Sequence, residues 1–131
     1  MKSKAILLTM FLLLPFGITT AQNVVVIPNQ VTVAWDAGAK ATDYEVFYIP
    51  TSKNKANESE WIPAGTTALL QQTIAFTAEG KYVVGVRSRK LVEGEVIYSE
   101  GIAWSDIEGT TSPWVILYAI PPEKPGNLHV K

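Results

Sequence analysis

The chain has 131 residues, enough for one domain and too few for two full ones. Eleven Lys and Arg against twelve Asp and Glu leave a net charge of −1, which argues against the dense cationic face that nucleic acid demands. Cysteine is absent, so disulfides, a thiol nucleophile and a lipid-modified cysteine anchor are all excluded.

The first segment does not read as part of a folded domain. Met1-Lys2-Ser3-Lys4 is positive, Ala5 to Ile18 is apolar apart from Thr9, Pro15 and Gly17, and Thr19-Thr20-Ala21 offers small residues before Gln22. This order is that of a secretory signal peptide over residues 1–21, cleaved after Ala21. The alternative is an uncleaved membrane anchor. For that the apolar stretch is short, and Pro15 and Gly17 weaken a helix near its end. Cleavage leaves 110 residues and, with Lys2 and Lys4 removed, moves the charge from −1 to −3. The expectation is a secreted protein, periplasmic or extracellular, with no membrane insertion after cleavage. Without disulfides its stability must come from a packed core.

The mature chain reads as short strands between turn signals, with no stretch of helical period. Val24 to Ile27 is a β-branched run ended by Pro28-Asn29. Gln30 to Trp35 alternates, with Val31, Val33 and Trp35 on one face, and Asp36 to Lys40 is a turn. Asp43 to Ile49 alternates again: Tyr44, Val46 and Tyr48 share a face, Phe47 and Ile49 take the other, and Pro50 ends the strand. Thr51 to Glu60 is polar and predicted to be a solvated loop. Trp61-Ile62 before Pro63 suggests a short edge strand, and Ala68 to Phe76 a further strand.

Lys81 to Arg89 places Tyr82, Val84 and Val86 inward and Lys81, Val83, Gly85 and Arg87 outward. Glu93-Gly94-Glu95 is a hairpin turn returning through Val96 to Tyr98. Ile102 to Trp104 and Trp114 to Ile120 are the last apolar segments, and Pro121-Pro-Glu-Lys-Pro125-Gly has the composition of a stiff linker. About seven strands with evenly spaced turns predict an all-β fold, an antiparallel two-sheet β-sandwich over residues 22–120, with a Pro-rich tail over 121–131.

Several stretches together resemble a fibronectin type III domain. VTVAW (Val31, Val33, Trp35) resembles the family's strand B, and YEVFY resembles strand C, whose aromatic row faces that tryptophan. FTAEGKYVVGVRS resembles the corner before strand F, with Phe76 where the family usually has leucine and Tyr82 as the tyrosine-corner residue. The resemblance implies that the Tyr82 hydroxyl reaches back to backbone near the turn. YSEGIAWSD resembles the serine-containing approach to the last strand. Two departures stand out: only Pro28-Asn29 separates the first two strands, and PPEKPGNLHVK resembles a family opening placed at the end. That tail is either an ordinary linker or a strand added to a neighbouring sheet edge.

Chemistry is sparsely provided. His129, the single histidine, sits in the tail, so no His-based triad or multi-His metal site is expected within the fold. Glu93/Glu95 and Glu58/Glu60 are loop pairs, not carboxylates fixed across a cleft. Asp36, Asp43 and Asp106 are turn residues first and calcium ligands only second. Arg87, Arg89 and Lys90 mark a strand end, with Glu93, Glu95 and Glu100 nearby to pair with them. Asn57-Glu58-Ser59 matches a glycosylation sequon.

The expected role is therefore a non-enzymatic interaction or structural module without a cofactor. Phe47, Ile49 and Val83 would form an apolar outer patch on adjacent strands; Trp114 to Ile120 would fold over it or extend the same sheet, or a protein partner, including another copy, would cover it. Trp61 and Tyr98 would supply exposed aromatics at its rim. The same aromatics would serve an alternative reading, carbohydrate binding by stacking.

Overall fold

The computed structural model describes residues 23–107 and 113–131; the predicted signal peptide lies outside these. Among these residues nine strands follow in chain order: β1 Asn23–Ile27, β2 Gln30–Ala34, β3 Asp43–Pro50, β4 Ile62–Thr67, β5 Gln71–Ala75, β6 Gly80–Val92, β7 Glu95–Tyr98, β8 Ala103–Trp104 and β9 Trp114–Tyr118. They form two sheets. The smaller pairs β2 with β5, antiparallel; the larger runs β1-β9-β6-β3-β4, with β7 and β8 also paired to β6.

The even-numbered residues of β3 and β6 do face a common interior. Val46, Tyr48, Tyr82 and Val84 pack with Val33 and Ile74 of the small sheet and with Ile27, Phe76 and Ile116, so the two layers share one core. Trp35 joins at its margin, edge-on to Tyr44 at 5.6 Å. Period-two alternation is what a strand between core and outer face requires.

Three features redirect the chain. Pro28, which has no N–H to donate, lies between β1 and β2 and coincides with the passage from the large sheet to the small one. β1 then lies parallel to β9, Asn23 opposite Trp114 and Ile27 opposite Tyr118. At the far end of β6, Glu93 and Gly94 both have positive φ, 50° and 81°, the geometry of the tight two-residue turns that match strand twist. The Tyr82 hydroxyl donates to the Ala78 carbonyl at 2.5 Å, tying the start of β6 to the turn before it.

β6 is longer than its sequence suggested, running on to Val92 because β7 pairs Arg89 to Val92. One edge of β6 is covered piecewise, by β7, then β8, then β9. Serines bridge the interruptions. Ser99 donates its N–H to the Ser88 carbonyl while its hydroxyl accepts the Ser88 N–H, and Ser105 does the same with both backbone groups of Val84. A hydroxyl so placed keeps a ladder satisfied where the partner strand has bent away.

Candidate interaction surface

The outer face of β3 and β6 is built from directly opposed pairs: Ile49 with Val83, Phe47 with Gly85, Glu45 with Arg87 and Asp43 with Arg89. The first two pairs make the apolar patch expected of this face, and of the two kinds of cover expected for it the chain supplies its own: Ile49 is 0%, Phe47 2% and Val83 3% exposed. Val115 of β9 packs beside Ile49 and Val83, with Trp61 and Trp104 closing over the cluster. Trp114 to Tyr118 extends the sheet instead of folding across it, and only Val115 from that segment joins the cover.

Gly85 makes this arrangement possible. A Cβ at that position would stand 2.7 and 2.8 Å from Trp104 ring carbons and 2.5 Å from Phe47 Cε1. Glycine in mid-strand marks a close approach, and here the approaching groups are two aromatic rings. That signal was present in the sequence and pointed to a covered face.

Trp61 was expected as an exposed rim residue on the edge strand. It instead precedes β4, just after the short 3₁₀ turn Glu58–Glu60 that Asn57 caps through its side chain. The Trp61 ring stacks on Phe47 at 4.2 Å and 10°, and its indole N–H donates to the Lys55 carbonyl at 2.9 Å. Trp61 is therefore half-buried, with one face and its polar handle already used. Pro63 and the irregularity opposite Val46/Phe47 fall within β4, which tolerates them as the outermost strand.

The basic cluster has partners other than the neighbours in sequence. Arg87 Nε donates to Glu45 at 2.6 Å and Arg87 Nη2 to Glu58 at 3.3 Å, while its guanidinium carbon lies 3.6 Å from the Tyr98 ring centre. Arg89 grips Asp43 through two hydrogen bonds, 2.7 and 3.1 Å, which raise the Arg89 pKa further above its ordinary value. Lys55 holds both carboxylate oxygens of Asp106 at 2.8 and 2.9 Å, with its ammonium 5.6 Å from the Trp104 ring. Asp43 and Asp106 are thus committed to cations, and among the described residues no group of three His, Asp or Glu side chains is arranged to hold a metal. Cross-strand register, not sequence proximity, selects the Arg87–Glu45 and Arg89–Asp43 pairs.

Beyond Arg89 the β3–β6 ladder ends and β6 runs on into its hairpin with β7, held to Thr42 by the Leu91 N–H donating to the Thr42 hydroxyl at 3.1 Å. Leu91, Val92, Val96, Ile97 and Tyr98 are all exposed there, Tyr98 at 44%. Of the five predicted contact residues, Tyr98 is the one that remains open to solvent, although its ring is shared with Arg87. A depression of about 260 Å³ lies at the other end of the face, floored by Ile49, Val83 and Val115 and rimmed by Lys53, Lys55 and Asp106.

Comparisons with protein-family models, with curated proteins and with solved structures each returned no match.

Proposed function

We propose that this chain is a secreted, non-enzymatic interaction module with a fibronectin type III-like sandwich, and that it meets a protein partner through the β6–β7 hairpin. The fold reading is supported by the two facing sheets, the Val31/Val33/Trp35 row beside the core, and the Tyr82 hydroxyl bound to Ala78. The observation that carries the function is the β6–β7 hairpin with five exposed apolar side chains, in a domain whose other outer-face aromatics are folded down. Exposed apolar surface gathered on one hydrogen-bonded hairpin favours protein contact, and aromatics dominate the energy of such contacts.

A photo-cross-linking residue at position 97 should capture a partner that the same residue at position 73, on the small sheet, does not. Capture should be lost on Tyr98→Ala. Binding on a glycan array that disappears with Trp61→Ala would replace this reading with sugar recognition. Export is tested separately: N-terminal sequencing of the processed protein should begin at Gln22.

A further inference from the structure

We infer that residues 126–131 of one copy add as an extra strand to the free edge of β1 in a second copy. The inference is independent of the hairpin reading and uses a different surface.

β1 is hydrogen-bonded to β9 on one side, and among the described residues nothing pairs its other side. Both ends of the large sheet are edges, but they are treated differently. β4 carries Pro63, which cannot donate, and an irregular register. β1 reads Asn-Val-Val-Val-Ile, with no proline, charge or bulge, and Val24, Val25 and Val26 are exposed. Proteins ordinarily blunt such an edge, because its row of unpaired backbone groups templates another strand.

The tail has the complementary character. Leu128 and Val130 are 96% and 98% exposed and stand two residues apart, the spacing that puts both on one face of a strand. Six residues at roughly 3.3 Å each span about 20 Å, enough to cover the five residues of β1. Pro121, Pro122 and Pro125 precede them and favour an extended spacer, which holds the donor segment roughly 15 Å from the body at about 3.1 Å per residue.

The tail departs beside the C-terminal end of β1, where the Ala119 N–H donates to the Ile27 carbonyl. To reach its own β1 edge it would have to reverse direction around that end within the proline-rich spacer. Reaching another copy needs no reversal. Backbone ladder bonds would supply the association, with Leu128 and Val130 against the exposed valines. Such a contact joins two different surfaces, so copies assemble into open chains or closed rings.

The test uses the processed full-length protein. Sedimentation velocity across a wide concentration range should show mass rising with concentration. Leu128→Asp with Val130→Asp should abolish the rise, as should Val26→Lys on the acceptor edge, with thermal melting unchanged at low concentration. The chain has no cysteine, so cross-linking is clean: Val25→Cys in one isotopically labelled copy and Leu128→Cys in an unlabelled one should form a disulfide between copies. A monomer at every concentration, or assembly that survives the double tail substitution, would overturn the inference. Tyr98→Ala should leave assembly intact, which separates failure here from failure of the hairpin proposal.

Discussion

Replacing Gly85 by alanine sets two opposed effects against each other. Alanine restricts the unfolded chain more than glycine, which by itself stabilises a strand position by roughly 0.5–1 kcal/mol. Against that, the new methyl would lie 2.5–2.8 Å from Phe47 and Trp104 carbons, whereas comfortable carbon contacts lie at about 3.5–4.0 Å. Neither ring yields freely. Phe47 is buried beneath Trp61, and Trp104 contacts both of these aromatics edge-on, at 5.4 and 5.7 Å. Overpacking of this kind costs about 1–3 kcal/mol, so after the offset the net expectation is destabilisation centred on about 1 kcal/mol. Urea unfolding followed by tryptophan fluorescence reads both consequences: a lower midpoint, and red-shifted native emission as Trp104 is lifted toward water. Adding Phe47→Leu should make the combined loss smaller than the sum of the two single losses, because the smaller side chain opens space above position 85. If Gly85→Ala is as stable as the parent or more so, the aromatic cover does not rest on this strand.

Three further outcomes follow from the same geometry. Tyr82→Phe removes the donor to Ala78 and should destabilise the protein by about 1–2 kcal/mol in a thermal or urea melt; an unchanged midpoint would remove the corner role from Tyr82. Arg87→Ala should cost about 2 kcal/mol, since Glu45 loses its partner and the Tyr98 ring its cation, and Arg87→Lys should recover less than half because an ammonium cannot lie flat on the ring. Burial, reinforced by Tyr82, raises the Tyr48 pKa above its ordinary 10.0. The folded state then holds that proton more tightly than the unfolded chain, so this contribution is complete below pH 10 and disappears as pH rises through the folded value. Stability measured by urea melts should fall in that alkaline range, and Tyr48→Phe should lessen the fall.

Much of the site's frame was visible in the residue order. Tyr44, Val46 and Tyr48 had to share a face, and so did Tyr82, Val84 and Val86, because strand side chains alternate whatever the surroundings. The tight turn at Glu93-Gly94 was legible for a similar reason: a local sequence satisfies a local backbone requirement. The same alternation puts Phe47, Ile49 and Val83 on the opposite face but leaves undecided whether the chain or a partner covers them. Parity says which way a side chain points and nothing of what lies above it. Trp61 and Trp104, 43 residues apart in the chain, meet over Phe47 only because β4 and β8 flank the same strand pair. Residue order likewise points Arg87 and Arg89 to the neighbouring glutamates, whereas the acids of β3 lie directly across the ladder.

What the sequence determined by itself is the set of strands, their two-faced character and the reliance on packing without disulfides. All of these depend on period, propensity and composition, which act over a few residues. The tertiary structure decided which face is dry, which charges are neutralised, and where apolar surface is left over. Those outcomes depend on segments distant in the chain arriving at one place. Among the described residues, the unpaired edge of β1 and the exposed apolar hairpin are properties of the assembled sheets, since a strand becomes an edge only when nothing else has paired with it.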